Sequence, residues 1–236
     1  MSSTLRYRAI LFDLDGTLAE TAPEIADALN DTLLALGHAA VDSGLAARWI
    51  GHGTRELLIQ GLAHARGMDL HAVRDDPRLP EVFATFDGHY ERRTGTRSHL
   101  YPGVREALET LRAHHCRLAV VTNKEGRHTD TVLRAHGLSS AFDMVISGDT
   151  LPTKKPNPSG VLHCLQRWGV APQDALFVGD SSIDAQTARQ AGVSIFLMSY
   201  GYNMGADVRE SRPDRVLDHF SQVMRAVLKP GQSASP

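Results

Sequence analysis

The stretch Ala9–Leu18, with the sequence AILFDLDGTL, decides the fold. Its apolar beginning is typical of a strand that is buried on both faces of a parallel sheet. The apolar run ends at Asp13 and Asp15. Gly16, which follows Asp15, favours a tight turn out of the sheet. Carboxylates at positions i and i+2 of an extended chain point in roughly the same direction. They would repel each other unless a cation or a shared proton lay between them. The pair therefore indicates either a simple polar end to the strand or the first part of a charged site.

The composition is that of an ordinary globular protein. The chain has 236 residues, of which 42% are hydrophobic, and a formal net charge of −2. This charge gives no reason to expect nucleic acid or an anionic membrane as a partner. No apolar stretch approaches the roughly 20 residues that span a bilayer, and the N-terminal residues lack a hydrophobic signal core. We therefore expect a cytoplasmic protein, and we interpret Cys116 and Cys164 as reduced packing residues.

A predominantly helical segment follows the first strand. Thr21 and Glu24 have the spacing of a capping box, with Pro23 in the first turn of the predicted helix. Further helical patterns cover about residues 44–49, 54–65 and 79–93. We therefore predict a helical cap, residues 19–99, inserted into a catalytic core formed by residues 1–18 and 100–236.

Strand and helix patterns alternate from residue 100 onward. The predicted strands after the first cover residues 118–121, 144–146, 176–178 and 194–198. This alternation, with almost wholly apolar strands, predicts an α/β fold with a Rossmann-like parallel sheet and helices on both faces. The Pro-, Gly- and Ser-rich tail, residues 230–236, is predicted to be disordered.

Polar residues follow the first four predicted strands. In a parallel sheet the carboxyl ends of the strands lie at one edge, where ligands bind. Besides Asp13 and Asp15, the residues at these strand ends are Thr122, Asn123, Lys124, Asp149, Lys155, Asp180 and Asp184. Each alone has an ordinary explanation as a turn, a helix cap or a solvated loop charge. Together they predict one site that includes four carboxylates (Asp13, Asp15, Asp180 and Asp184), the Thr122 hydroxyl and Lys155.

The residue types at this edge indicate phosphoryl chemistry. Several carboxylates held together favour a hard divalent cation such as Mg²⁺. A lysine and a threonine beside such a cation suit a phosphoryl group. Asp13 can then attack phosphorus and form an aspartyl-phosphate. Asp15 is placed to protonate the leaving oxygen and afterwards to activate water.

These motifs together resemble the haloacid dehalogenase superfamily. Its first motif, D-x-D-G-T, matches Asp13–Thr17, and its second, a Ser or Thr at the end of an apolar strand, matches Thr122. The lysine of its third motif matches Lys155, and the fourth motif, G-D-x-x-x-D, matches Gly179–Asp184. Asp15 is the residue type that marks phosphatases and phosphotransferases of this superfamily. The helical insert is similar to the cap of its C1 subgroup.

Within the superfamily the chain most resembles bacterial phosphoglycolate phosphatases. The segments that carry this resemblance are WIGHG at 49–53, LYPGV at 100–104, VTNK at 121–124 and GYN at 201–203. The resemblance implies Mg²⁺-dependent hydrolysis of a small phosphomonoester, with 2-phosphoglycolate as the expected substrate. The alternatives are another small substrate, such as a sugar phosphate or pyrophosphate, or phosphoryl transfer as in β-phosphoglucomutase. A non-catalytic binding protein of the same fold is a further alternative, against which the intact set of acids argues.

The resemblance also implies roles for residues of the core. Mg²⁺ is expected on the side chains of Asp13 and Asp180 and on the backbone carbonyl of Asp15. Thr122 and Lys155 are expected to bind the transferring phosphoryl oxygens. Supporting roles are expected for Asn123, in substrate binding, and for Asp184 and Asp149.

Cap residues are expected to complete the substrate site. Gly51 and His52 are expected to contact substrate, and Arg55 is expected to meet a substrate carboxylate, with a solvated helix arginine as the alternative. The cap should close over the substrate by hinges near residues 19–22 and 97–101. We expect a monomer or a homodimer that acts on a small molecule.

Overall fold

The structure is a computed structural model and describes residues 5–228. The predicted disordered tail and the N-terminal residues 1–4 lie outside the described residues. The strands are β1 (Ala9–Phe12), β2 (Ala19–Glu20), β3 (His99–Leu100), β4 (Arg117–Val121), β5 (Met144–Ile146), β6 (Ala175–Gly179), β7 (Ser194–Met198) and β8 (Arg215–Leu217). The α-helices are α1 (Ala22–Ala35), α2 (Ser43–Ala47), α3 (Thr54–Arg66), α4 (Leu70–Arg74), α5 (Leu79–Arg93), α6 (Val104–Ala113), α7 (Gly126–Ala135), α8 (Ser159–Trp168), α9 (Ser182–Ala191) and α10 (Ser221–Val227).

The central sheet has six strands in the order β5-β4-β1-β6-β7-β8, and every neighbouring pair is parallel. This confirms the predicted α/β fold with a parallel sheet. β1 lies between β4 and β6, so the beginning of the stretch Ala9–Leu18 occupies the middle of the sheet. The sequence does not predict β8, a strand of three residues at the edge of the sheet, because only Leu217 in it is buried.

Both faces of the sheet are covered by helices, which explains why its strands are apolar throughout. Ile10 is paired with Leu118 and Leu176, and all three pack into the cluster that includes buried residues of α6, α7 and α10. The next residue, Leu11, points to the opposite face, into a cluster with α8 and α9. Successive strand residues therefore need apolar side chains for two different layers.

Helices α1 to α5 share a separate apolar cluster, and one core residue, Tyr202, joins it. The two segments that connect these helices to the core lie side by side, because β2 and β3 pair antiparallel. These observations support the predicted division into core and cap, which remains a proposal. Within residues 5–228, no helix combines the length and the apolar character that crossing a bilayer requires.

The predicted capping box at the start of α1 is wrong. Thr21 makes no side-chain cap; its hydroxyl donates to Asp15 Oδ1 at 2.7 Å instead. The backbone N–H groups of Thr21 and Ala22 donate to the phenol oxygen of Tyr202, at 2.9 and 3.0 Å. Glu24 is fully buried and accepts from the second connecting segment. Tertiary partners therefore replace the local cap.

Candidate active site

The turn after β1 fits closely against the loop after β6. Gly16 has φ of +84°, and a Cβ on it would overlap the carboxylate of Asp180. A glycine is therefore required there both by conformation and by space. The next residue, Thr17, donates from its hydroxyl to Asp180 Oδ1 at 2.7 Å, and the backbone N–H of Tyr202 donates to Asp180 Oδ2 at 2.6 Å.

Three predicted acids converge at this edge of the sheet. Carboxylate oxygens of Asp13, Asp180 and Asp184 all lie within 4.8 Å of one another. Lys155 reaches the same cluster: its Nζ lies 2.8 Å from Asp13 Oδ1 and 2.6 Å from Asp184 Oδ1. The structure thus brings together residues that are up to 171 positions apart in the chain.

Asp184 fixes the shape of the cluster. Its Oδ2 accepts from the backbone N–H groups of Asp180 and Ser181, both at 3.1 Å, and from the Ser181 hydroxyl at 2.7 Å. Ser181 is also the N-cap of α9, with Asp184 as the acidic partner of a capping box. Because both oxygens of Asp184 already have donors, this residue orients Lys155 and the loop that carries Asp180.

The electrostatics of the cluster combine buried, mutually repelling carboxylates with the ammonium group of Lys155. Burial, followed by the neighbouring carboxylates, raises the pKa of Asp13 to about 6, although Lys155 opposes the shift. Burial and the charges of Asp184 and Asp13 raise the pKa of Asp180 well above its usual value. Burial acts to lower the pKa of Lys155, but Asp13 and Asp184 outweigh it and the pKa is raised. A bound cation would offset the repulsion among the acids.

The donor set fits a hard divalent cation. The oxygens are carboxylates, which such ions prefer, and the cluster is buried. Asp13 Oδ1 touches Lys155 but has no hydrogen bond of suitable geometry. One oxygen of the cluster is thus left without a directional donor. Asp13, Asp180 and the backbone of the Asp13–Asp15 turn could hold an ion.

Thr122 and Asn123 lie next to the cluster, at the end of β4. Both line the same cavity as Asp13, Asp15 and Asp180. The Asn123 amide donates to the backbone oxygen of Lys155 at 3.0 Å and to that of Gly51 at 3.1 Å. Asn123 therefore connects a cap loop to the loop that carries Lys155.

Asp15 is held by contacts that the sequence did not predict. Thr21 and Lys124 both donate to Asp15 Oδ1, at 2.7 and 2.9 Å. Lys124 also donates to the phenol oxygen of Tyr90, which comes from α5 of the cap. Among residues 5–228 Asp15 Oδ2 has no hydrogen-bond donor, so it stays available to a substrate. Lys124 follows a strand like the other site residues, but Tyr90 lies in a helix where its spacing indicates only a core position.

The three cap residues predicted to contact substrate differ in where they lie relative to the cavity. Gly51 lines the cavity. His52 is exposed, and its backbone oxygen accepts from Lys154 of the core at 2.8 Å. Arg55 is exposed, and its guanidinium lies 5.3 Å from the centre of the Phe83 ring rather than along the cavity. The predicted role of Arg55 in binding a carboxylate remains a prediction.

Asp149 lies apart from the cluster. It is exposed, and its Oδ1 accepts from the backbone N–H of Gly126, at the start of α7, at 2.9 Å. The contact is that of a carboxylate near the positive end of a helix. Its predicted support of the site would act through the loop before α7.

Comparison with known proteins identifies the family. Residues 10–198 match the family model described as haloacid dehalogenase-like hydrolase. The chain belongs to the haloacid dehalogenase-like hydrolase family. The four motifs that carried the resemblance all lie inside the matched range. This confirms the family predicted from the sequence and makes the protein a hydrolase.

Relatives of this hydrolase match it over nearly its full length. A protein named phosphoglycolate phosphatase from Nitrosospira multiformis is 40% identical over 97% of this chain and 99% of the relative. One of the same name from Nitrosococcus oceani is 36% identical over 91% of this chain and 93% of the relative. The crystal structure of a predicted phosphoglycolate phosphatase from Haemophilus somnus superposes with a TM-score of 0.86 at 31% identity, covering 94% of this chain and 98% of that one. The haloacid dehalogenase-like hydrolase therefore resembles proteins of that name in both core and cap.

Proposed function

We propose that this hydrolase is a Mg²⁺-dependent phosphatase that converts 2-phosphoglycolate to glycolate and phosphate. The observation that carries the proposal is the convergence of Asp13, Lys155 and Asp180 at one edge of the sheet, with Asp15 facing the same cavity. The names of the curated relatives support the choice of substrate.

Asp13 supplies the nucleophile in this proposal. A bond forms between its carboxylate oxygen and phosphorus while the bond from phosphorus to the bridging oxygen breaks. Asp15 gives its proton to that bridging oxygen, so glycolate leaves with a neutral hydroxyl. Asp15 then takes a proton from water, whose oxygen forms a bond to phosphorus as the bond between phosphorus and the Asp13 oxygen breaks. This releases phosphate, and Asp13 and Asp15 return to their starting forms.

The other residues would hold the phosphoryl group. Lys155 and Thr122 would bind its oxygens, since both lie beside Asp13. Asp184 would keep Lys155 in place through their contact at 2.6 Å. Asp13, Asp180 and the backbone carbonyl of Asp15 would hold Mg²⁺, which when bound offsets the negative charge of the carboxylates and of the phosphoryl oxygens.

The cap would keep water from the reaction and shape the site around the substrate. Its loop at residues 51–54 already contacts the core at several points: Asn123 donates to Gly51, Lys154 donates to His52, and Thr54 donates to Glu125. These contacts support a cap that covers the reacting atoms when substrate is bound.

A substrate panel tests the proposal. Phosphate release would be measured with Mg²⁺ for 2-phosphoglycolate, sugar phosphates and pyrophosphate at equal concentrations. We expect the highest kcat/KM for 2-phosphoglycolate, and we expect chelation of the metal to abolish turnover. A clear preference for a sugar phosphate, or conversion of one sugar phosphate isomer to another, would favour the alternatives and contradict the proposed substrate.

A further inference from the structure

Lys124 is a buried cation whose task the reaction above leaves open. It is only 3% exposed, and it stands two residues after Thr122 at the end of β4. Its Nζ lies 2.9 Å from Asp15 Oδ1 and 5.0 Å from the centre of the Tyr90 ring, whose phenol oxygen it also contacts. Burying an ammonium group is costly unless it has anionic or polar partners. The position of Lys124 beside the site calls for a functional reason.

The partners of Lys124 do not use all of its donors. An ammonium group has three N–H donors, and Asp15 and Tyr90 accept two of them. Across residues 5–228 no third acceptor is present. Since the Tyr90 oxygen accepts from Lys124, the phenol proton can be donated to a second group. Residues 5–228 supply no acceptor for it. One ammonium donor and one phenol donor are thus left over.

Both leftover donors belong to residues that line the catalytic cavity. Lys124 and Tyr90 lie along it together with Asp13, Asp15 and Thr122. The side of the cavity formed by the cap is otherwise largely apolar, with Ile25, Ile50 and Leu57. An anionic group on a substrate would therefore find its charged partner at Lys124.

We propose that Lys124 Nζ and the Tyr90 hydroxyl bind the carboxylate of the substrate and set the specificity of this hydrolase for carboxylated phosphomonoesters. This inference rests on the proposed function and adds the residues that recognise the non-reacting end of the substrate. It gives to Lys124 the role that the sequence suggested for Arg55, whose guanidinium lies over Phe83.

The spacing of the site suits a carboxylate one carbon away from the bridging oxygen. In 2-phosphoglycolate a single methylene separates the two groups, so the carboxylate oxygens lie about 3–4 Å from the bridging oxygen. Asp15, the proposed acid for the bridging oxygen, lies 2.9 Å from Lys124 Nζ. A substrate that reaches Asp15 with one group therefore reaches Lys124 with the other. A longer linker would carry the carboxylate past this pair.

The experiment compares two substrates in each variant of the full chain. 2-Phosphoglycolate carries the carboxylate, and 2-hydroxyethyl phosphate replaces it by a neutral hydroxymethyl group of similar size. We expect Lys124→Met to lower the ratio of kcat/KM for the first substrate to that for the second by about 10- to 100-fold, since a hydrogen bond between charged groups is lost. Tyr90→Phe should lower the same ratio by roughly 3- to 10-fold.

The matched control is Tyr101→Phe. The Tyr101 hydroxyl donates to Glu20 at 2.8 Å, and the residue does not line the catalytic cavity, so the ratio should not change. Circular dichroism would verify the fold of each variant. If Lys124→Met does not fold, Tyr90→Phe, which keeps the buried ring, decides the question.

Equal losses on both substrates would overturn the inference. That result would mean that Lys124 and Tyr90 serve only to hold Asp15, while the preference of the wild type for 2-phosphoglycolate would leave the proposed function intact. Failure of the wild type to hydrolyse 2-phosphoglycolate would instead contradict the proposed function. The variants therefore test the inference about Lys124 and Tyr90, and the wild type tests the proposed function.

Discussion

Asp180 is held from four directions, and this rigidity suits the metal-binding role that we propose for its carboxylate. Thr17 and the backbone of Tyr202 donate to it, and Gly16 and Gly201 approach it so closely that neither position has room for a Cβ. Side chains that hold a metal work best when surrounding contacts fix their orientation. The small residues around Asp180 are thus part of the site.

Replacing Gly201 by alanine should displace the Asp180 carboxylate without changing the chemical identity of residue 180. The added Cβ would overlap the Asp180 carboxylate, so we expect the Mg²⁺ concentration for half-maximal phosphate release to rise by about 10-fold or more. The control is Gly88→Ala in α5, where the nearest atom to the new Cβ is Arg92 Nη1 at 3.6 Å. Unchanged magnesium dependence in Gly201→Ala would contradict this view of Asp180.

Single residues differ in how well the sequence predicts their positions. Asp13 and Asp180 could be predicted to converge because each directly follows a strand, and Lys155 because it lies on the loop that follows β5; parallel strands end at one edge of the sheet. Tyr90 could not, because its position in α5 has the apolar spacing of a packing residue. The identity of its hydroxyl partner depends on how cap and core meet.

The junction between cap and core depends on the first turn of α1. Glu24 Oε2 accepts from the backbone N–H groups of Gly95 and Ser98, at 2.9 and 3.0 Å, just before β3. β2 and β3 then pair with each other. The two connecting segments are therefore tied together by backbone contacts and by one buried carboxylate.

Glu24→Ala should loosen this junction. The variant leaves the half-buried backbone N–H groups of Gly95 and Ser98 without their acceptor, so we expect a loss of about 2–3 kcal/mol in the free energy of unfolding, measured with urea. Glu81→Ala is the matched control, because Glu81 follows a proline in the first turn of α5 as Glu24 does in α1, but it is exposed. It should change stability by less than about 0.5 kcal/mol. Similar losses in both variants would show that Glu24 acts only on its own helix.

The elements themselves follow from the sequence more readily than their ends do. The amphipathic pattern predicts α3 and α5 almost to the residue. The capping box predicted at the N-terminus of α1 is wrong because Thr21 and Glu24 have the spacing of that motif but bind partners outside the helix. β8 is missed because three residues at a sheet edge carry too little of a periodic pattern.

At the scale of the molecule, cap and core meet through a buried histidine. His128 of α7 stacks on Tyr90 of α5, with ring centres 4.1 Å apart, and its Nε2 lies 3.7 Å from Asp87 of the same cap helix. Burial, with Lys124 and Arg127 nearby, lowers the pKa of His128 to about 4, although Asp87 opposes the shift. The neutral imidazole is therefore the form that suits the interface.

This histidine predicts a loss of stability in mild acid. Its pKa is lower in the folded state than the usual 6.5, so the unfolded chain binds more protons between about pH 6.5 and 4. Stability should fall as the pH drops through that window, and this group should cause no further loss below about pH 4. In urea unfolding at pH 7 and pH 5, His128→Gln should lose less stability on acidification than the wild type does, by on the order of 1 kcal/mol. An identical pH dependence in the two proteins would contradict a neutral buried His128.

The relative position of cap and core is the part of the structure that the sequence predicts least. The sheet follows from apolar strands that alternate between two faces, as Ile10 and Leu11 do. The contacts of the cap loop with the core are made largely to backbone oxygens, such as those of Gly51 and His52. Every residue type has a backbone oxygen, so such contacts cannot be predicted from the identity of the residue that accepts.

The measurement that tests the central claim most directly is the rate of phosphate release from 2-phosphoglycolate by Asp13→Asn in the presence of Mg²⁺. Asparagine keeps the size of the side chain but removes the nucleophilic carboxylate, so the account predicts a loss of at least about 1000-fold relative to the wild type. Asp69→Asn, which changes the exposed N-cap residue of helix α4, should retain full activity. A folded Asp13→Asn protein that releases phosphate at the wild-type rate would contradict the account.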